Sequence, residues 1–295
     1  MTQGSVEIDS QGDLHLAHRL ADAADAISLS RYHSLDLVVE TKPDATPVTD
    51  ADRAVEKEIR ALLQSERPHH LIIGEEFGGK ELLDSAKPGT KFWIIDPIDG
   101  TKNFLRGVPT WATLIAMGEV DSAGKKSVTI GLVSSPAMGR RWWAERGGGA
   151  YVTERFASAS PLLSTEENSP FPSLTRRINV SQVSSLGDAS LSYSDLLGWE
   201  SKRKSFLSLL DEVWRTRALG DFLSHMFVAE GAVDIAAEPT LALWDMAALA
   251  VIVEEAGGKY SSLDGVEGPF GASGVSTNGR LHQEFLSRIN DGSQR

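Results

Sequence analysis

A layered fold of mixed helix and sheet, α/β or α+β in class, is what this 295-residue sequence predicts, and three observations carry the expectation. Two amphipathic helical stretches open the chain. A block of compact apolar runs, divided by turn residues, follows between positions 71 and 153. Beyond about residue 177, helical and strand patterns alternate to the end, and no internal repeat interrupts them.

Taken in order, Leu14, Ala17, Leu20, Ala21, Ala24 and Ile27 are spaced for one buried face of a helix over 13–32. Val55, Ile59, Leu62 and Leu63 do the same for a helix from Asp50 or Asp52 to about Gln64. "LIIG" (71–74) and "KFWIID" (91–96) read as short buried strands. "WATLIAMGEV" (111–120), "SVTIGLVSSP" (127–136) and "RRWWAERGGGAYVT" (140–153) read as an antiparallel meander. The Ser- and Pro-rich "ASASPLLSTEENSPFPS" (157–173) has no steady period and reads as a surface connection. After it come "RRINVSQ" and "VWRTRAL" as strands, "DFLSHMFVAEGAV" as a helix and "VDIAAE" as a strand. A helix from Asp245 to Ala256 is stopped by Gly257-Gly258. "GVSTNG" and a last helix complete the chain.

Composition removes several functions. The net charge of −12 opposes a nucleic-acid surface, which needs clustered Lys and Arg, and the basic run "SKRKS" (201–205) reads as a solvated helix start. With no cysteine, disulfides and thiolate metal sites are excluded and a cytoplasmic setting is expected. The opening "MTQGSVEIDSQGD" is polar and acidic, unlike a secretory leader, and no apolar run approaches the roughly 20 residues of a membrane span.

Chemistry concentrates in acids at the ends of elements. Asp96 and Asp99 follow the strand "FWII", and Glu75 and Glu76 follow "LIIG". Asp52 lies in the first turn of the second helix, and Asp245 opens a late one. Each has an ordinary alternative: Asp245 as an N-cap, Asp52 as a first-turn acid facing the helix dipole, "DPIDG" as plain turn chemistry. A turn alone explains neither the second Asp three residues on nor the Glu placed alike after the preceding strand. Grouped carboxylates repel unless a cation lies among them. With no Cys available and no His beside these acids, oxygen-only donors select hard cations, Mg²⁺ or Mn²⁺. The Asp99–Gly100–Thr101 turn into a helix offers backbone N–H groups to an anion, and cation plus anion site together point to phosphate.

"GEE" (74–76), "WIIDPIDGTKNF" (93–104) and "LWDMAALAVIVEEAGG" (243–258) resemble, in order and spacing, the three signatures of the inositol-monophosphatase family of metal-dependent phosphatases. The resemblance implies an αβαβα sandwich in two lobes, residues 1–156 and 177–295, joined by 157–176. It implies Glu75, Asp96, the Ile98 carbonyl, Asp99 and Asp245 as metal ligands, with Asp52 completing a further site for two or three Mg²⁺ ions, Mn²⁺ being a possible substitute. It makes Glu75 and Thr101 the pair that orients and deprotonates the attacking water, and the N–H groups of Gly100 and Thr101 the phosphate cradle. Asp221 and Glu238 fall where the family contacts the rest of its substrate. "TKPDATPVTDADRAVE", "RRWWAERGGGAY" and "RALGDFLSHMFVAEGAVDIAAEP" are most similar to the members that hydrolyse histidinol phosphate, a cationic substrate suited to extra carboxylates. An inositol or other sugar phosphate is the alternative. A homodimer is implied as well.

Four further features carry ordinary expectations. His225 reads as a packing histidine, and His69 and His70 as solvated loop residues. Trp142-Trp143 read as core and sheet-edge packing. Asp221 has a second reading as a helix cap, and "RGGGAY" lacks the ending of a nucleotide loop.

Overall fold

The computed structural model describes residues 10–42, 46–155 and 173–291. Helix α1 (Ser10–Arg31) starts three residues before the expected Asp13, whose buried carboxylate instead pairs with Arg67 (2.7 Å) and Lys91 (3.1 Å). The strands β1 (Val39–Thr41) and β2 (Pro47–Thr49) form a small antiparallel hairpin, each too short to leave a period in the sequence. Helix α2 (Asp50–Glu66) is launched by a capping box in which Thr49 accepts from the Ala51 and Asp52 N–H groups while Asp52 accepts from Thr49.

The chain then lays down β3 (Leu71–Gly74), the short α3 (Lys80–Asp84), β4 (Lys91–Asp99) and the one-turn α4 (Thr101–Leu105). The meander follows as β5 (Ala112–Val120), β6 (Lys126–Ser135), β7 (Arg140–Glu145) and β8 (Gly149–Arg155). Strand β9 (Ser173–Ile178) adds a seventh member, so residues 173–176 extend this sheet, while 156–172 lie outside the described residues. Within this sheet β3 and β4 are parallel and every later pair is antiparallel. The remainder comprises β10 (Ser190–Ser192), α5 (Arg203–Glu212), β11 (Arg215–Arg217), α6 (Asp221–Ala229), β12 (Ile235–Glu238), α7 (Leu243–Glu255), β13 (Lys259–Ser261), β14 (Gly274–Thr277) and α8 (His282–Asn290). Five of its strands make a second sheet in the order β11-β10-β12-β14-β13.

Five layers result. Leu16, Leu20, Val55 and Ile59 of α1 and α2 bury Trp93, Ile95, Ile115 and Leu132 on one face of the large sheet. Phe92, Ile94, Leu114 and Val133 on its other face meet α6 and α7. Beyond the small sheet, Phe206 and Leu209 of α5 and Phe285 and Ile289 of α8 cover Leu191, Ile235 and Val275. This is the αβαβα order that the resemblance implied. Because the large sheet is covered on both faces, β4 is apolar at successive residues instead of alternating. Helix α7 crosses the sheet so closely that a Cβ on Gly131 would stand 2.4 Å from the Ala248 carbonyl oxygen. Among the described residues no helix is long and apolar enough to cross a membrane.

Candidate active site

The register of β4 against β5 breaks between Asp96 and Asp99. Asp96 still pairs with Leu114 and Asp99 with Ala112, so the Pro97-Ile98 step bulges out, and Thr113 Oγ1 holds the Pro97 carbonyl at 2.8 Å. The bulge turns both acids to one end of the sheet. Gly100 then closes the turn at φ +81°, where a side chain would meet the Thr110 carbonyl at 3.0 Å and Asp221 Oδ2 at 3.2 Å.

A cavity of about 150 Å³ opens there, lined by Glu75, Asp96, Ile98, Asp99, Gly100, Thr101, Asp221, Glu238 and Asp245 together with Ser194 and His225. A wider recess of about 410 Å³ adjoins it, sharing Glu75, Gly100, Thr101, Ser194 and Asp221 and adding Lys102 and Asn103. Asp52 lies just behind, within reach of Thr101 Oγ1 at 3.5 Å; that hydroxyl also approaches the Ile98 carbonyl at 3.1 Å. Residues from the ends of β3, β4 and β12 and the first turns of α6 and α7 thus line one cavity, with Asp52 of α2 behind it.

Electrostatics dominates this cavity. Burial, then the charges of Glu75, Asp99, Asp245 and Asp52, push the Asp96 carboxyl well above the usual range. Asp99 rises in the same way, from burial and then Asp221 and Asp245, opposed by the Phe222 N–H at 2.8 Å. Burial raises Asp245 to about 7 and Asp52 to about 6. Carboxyls raised by burial and by specific charged neighbours in a cleft are candidates for a functional site.

Among the described residues, no three acidic side chains converge on one ion as they stand. Each has turned to a local donor: Asp99 to Phe222, Asp52 to Thr49, and Asp245 to the Ala242 N–H at 2.8 Å. Lys42, from the β1–β2 hairpin, lays its ammonium between Glu75 Oε1 (2.7 Å) and Glu76 Oε1 (2.6 Å). The donor set nonetheless suits a divalent cation. It is all oxygen, it is crowded with like charge, and Asp96 Oδ1 is buried with no hydrogen-bond partner.

Several residues were not singled out by the sequence. Glu56 on α2 is fully buried and accepts from the Glu76 N–H (2.7 Å), the Phe77 N–H (3.2 Å) and Arg60 (2.7 Å), so it shapes the loop that carries Glu75. Its signal was its position four residues after Asp52, on the same helical face. Lys42 and Asn103 lay inside stretches that the resemblance quotes but carried no role of their own there, and Ser194, an isolated polar residue in a loop, gave no signal.

Other expectations resolve plainly. His225 is buried and packed, its Nδ1 2.5 Å from Ser276 Oγ, and burial lowers it to about 4. His70 is not simply solvated: it is half-buried, and Trp93 Nε1 donates to its Nδ1 at 3.0 Å. Trp142 is core, with Nε1 bonded to Glu230, whereas Trp143 stacks on Tyr151. The N–H groups of Gly147 and Gly149 hold the Glu255 carboxylate at 3.0 and 2.9 Å. Asp245 is the third residue of α7, not its cap, and Asp221 follows the cap position held by Gly220.

An αβαβα fold with acids of raised pKa gathered where two strands end is the arrangement of the phosphatases that the sequence resembles. Residues 10–294 match the inositol monophosphatase family, and the chain belongs to it. It is 52% identical over 284 residues to a histidinol-phosphatase of Streptomyces coelicolor, covering 96% of this chain and 98% of the relative. To a histidinol-phosphatase of Mycobacterium tuberculosis it is 52% identical over 285 residues, covering 96% and 100%. An IMPase structure from Thermotoga maritima superposes with a TM-score of 0.75 at 27% identity, covering 96% of this chain and 98% of that one.

Proposed function

We propose that the protein hydrolyses L-histidinol phosphate to L-histidinol and phosphate, a step of histidine biosynthesis. The observation that carries this reading is the pair Asp221 and Glu238, a half-buried and a buried acid on the cavity wall, where a substrate amine or imidazolium would favour the ionised carboxylates that burial otherwise opposes. The two histidinol-phosphatase relatives, each matched over nearly its whole length, support it independently.

In this reading Glu75, Asp96, the Ile98 carbonyl, Asp99 and Asp245 hold divalent cations, and Asp52 serves a further site. Mg²⁺ in two or three positions is the expected complement, with Mn²⁺ as substitute. Bound there, the cations neutralise phosphoryl oxygens and lower the pKa of a water molecule. The chain's own residues do the rest. Glu75 and the Thr101 hydroxyl orient the water and take its proton, and Thr101 is tied to Asp52 and the Ile98 carbonyl for that purpose. The backbone of Gly100 and Thr101, at the bend, receives the phosphate. Asp221 and Glu238 grip the far end of the substrate. We assign the two sheets with their helices to two lobes, and expect a cytoplasmic homodimer.

A substrate panel tests the reading. Histidinol phosphate should be turned over with a kcat/KM at least tenfold above that for inositol phosphate, and exhaustive chelation should abolish both activities until Mg²⁺ is restored. Preference for inositol phosphate would favour the alternative, because Glu238 can also accept sugar hydroxyls; activity that survives chelation would refute the metal assignment.

A further inference from the structure

Ser194, two residues past the end of β10, faces both the cavity and the recess beside it. Its hydroxyl donates its one proton to Glu238 Oε1 at 2.6 Å and accepts from the Asp221 N–H at 2.8 Å. One oxygen atom therefore ties together the two acids of the recognition wall, which come from β12 and α6. Asp221 itself is held at φ +47°, directly after Gly220 at φ +78°. Asp visits that left-handed region more readily than most non-glycine residues, and contacts around Asp221 hold it there. Here those contacts are Ser194 on the backbone and Asn103 on the side chain, whose Nδ2 donates to Asp221 Oδ2 at 3.1 Å and to the Thr110 carbonyl at 3.0 Å.

We infer that Ser194 is a positioning residue for substrate specificity: with Asn103 it holds Asp221 and Glu238 at a fixed separation, so that they meet the cationic end of a phosphomonoester. The inference rests on the histidinol phosphate reading. Its physical basis is that a counter-charge is effective only when its geometry is set beforehand, since ordering a loose carboxylate on binding consumes part of the attraction. The bonds of Ser194 run between elements and none runs within its own strand, so they serve the wall more than the stability of β10. The hydroxyl is also the side-chain donor that favours the charged form of Glu238 against its burial.

The test compares Ser194→Ala and Ser194→Thr with the parent protein on histidinol phosphate and on glycerol 2-phosphate, whose alcohol part carries no cation, and titrates histidinol alone by calorimetry. Ser194→Ala should raise KM for histidinol phosphate at least tenfold and weaken histidinol binding as much, with kcat changed less than about threefold and the glycerol ester affected less than about threefold. Ser194→Thr, which keeps the hydroxyl, should return both values to within about threefold of the parent. An alanine variant that keeps the parent's preference, or loses both esters equally, overturns the inference; so does a threonine variant that behaves like alanine. A parent protein with no preference for the cationic ester would instead overturn the function reading beneath it.

Discussion

Glu238 offers a quantitative trial of the electrostatic description. Its carboxyl is buried beneath Ser194, and burial lifts it from the usual 4.5 to about 8, with the Asp221 charge adding to the rise. The folded protein therefore retains a proton that the unfolded chain has released, and folding stability falls as pH climbs between those two values. At about 1.4 kcal/mol per pH unit, the cost of this one group grows from nothing near pH 4.5 to about 3 kcal/mol at pH 7 and about 5 kcal/mol above pH 8. Glutamine has nearly the same shape, can accept the Ser194 proton, and does not ionise. Glu238→Gln should accordingly leave stability unchanged at pH 4.5 and raise it by about 3 kcal/mol at pH 7, with a plateau above pH 8. Urea unfolding of the metal-free protein and its variant, at half-unit steps from pH 4.5 to 9, measures the difference directly. A difference that stays flat with pH would refute the reasoning, because a carboxyl with no raised pKa has no such slope.

Other outcomes follow from the same geometry. Asp96→Asn removes a buried carboxyl whose ionisation burial and four neighbouring acids oppose, so the metal-free protein should melt at higher temperature near pH 7 while the stabilisation by added Mg²⁺ and turnover are both lost; thermal scans with and without Mg²⁺ check it. Asp99→Asn should cost at least about a hundredfold in kcat with the circular dichroism spectrum unchanged, as removal of an electrostatic group at a reacting centre commonly does. Gly131→Ala would drive a methyl into the Ala248 carbonyl 2.4 Å away, lowering stability by about 1–3 kcal/mol and reducing turnover through α7, which carries Asp245; a parent-like urea midpoint would contradict the close crossing. Glu56→Ala leaves two N–H groups and Arg60 without their buried acceptor and should destabilise by about 3 kcal/mol, read from the same unfolding curves.

Much of this molecule was legible in its residues because the relevant physics is local. The period of Leu20, Ala24, Val55 and Ile59 marked two helices that lie where expected. The meander followed from turn residues between apolar runs. The acids Glu75, Asp96, Asp99 and Asp245 could be picked out because the type and spacing of a residue report its chemistry before its partners are known, whereas Asp221 and Glu238 stood out only through the family resemblance. β1, β2, β10 and β13, three residues each, escaped because so short a strand leaves no period; β11, as short, was read only from the longer run "VWRTRAL" around it.

Tertiary structure alone decided how the acids are used. That β4 bulges so both of its carboxylates reach one cavity, that Lys42 lies between Glu75 and Glu76, and that Ser194 joins Asp221 to Glu238 are facts about neighbours 33, 34, 27 and 44 positions apart in the chain. The raised carboxyls likewise belong to burial and convergence, not to any one side chain. A sequence states which groups carry charge; the dielectric around them and the distance between them exist only once the layers have packed.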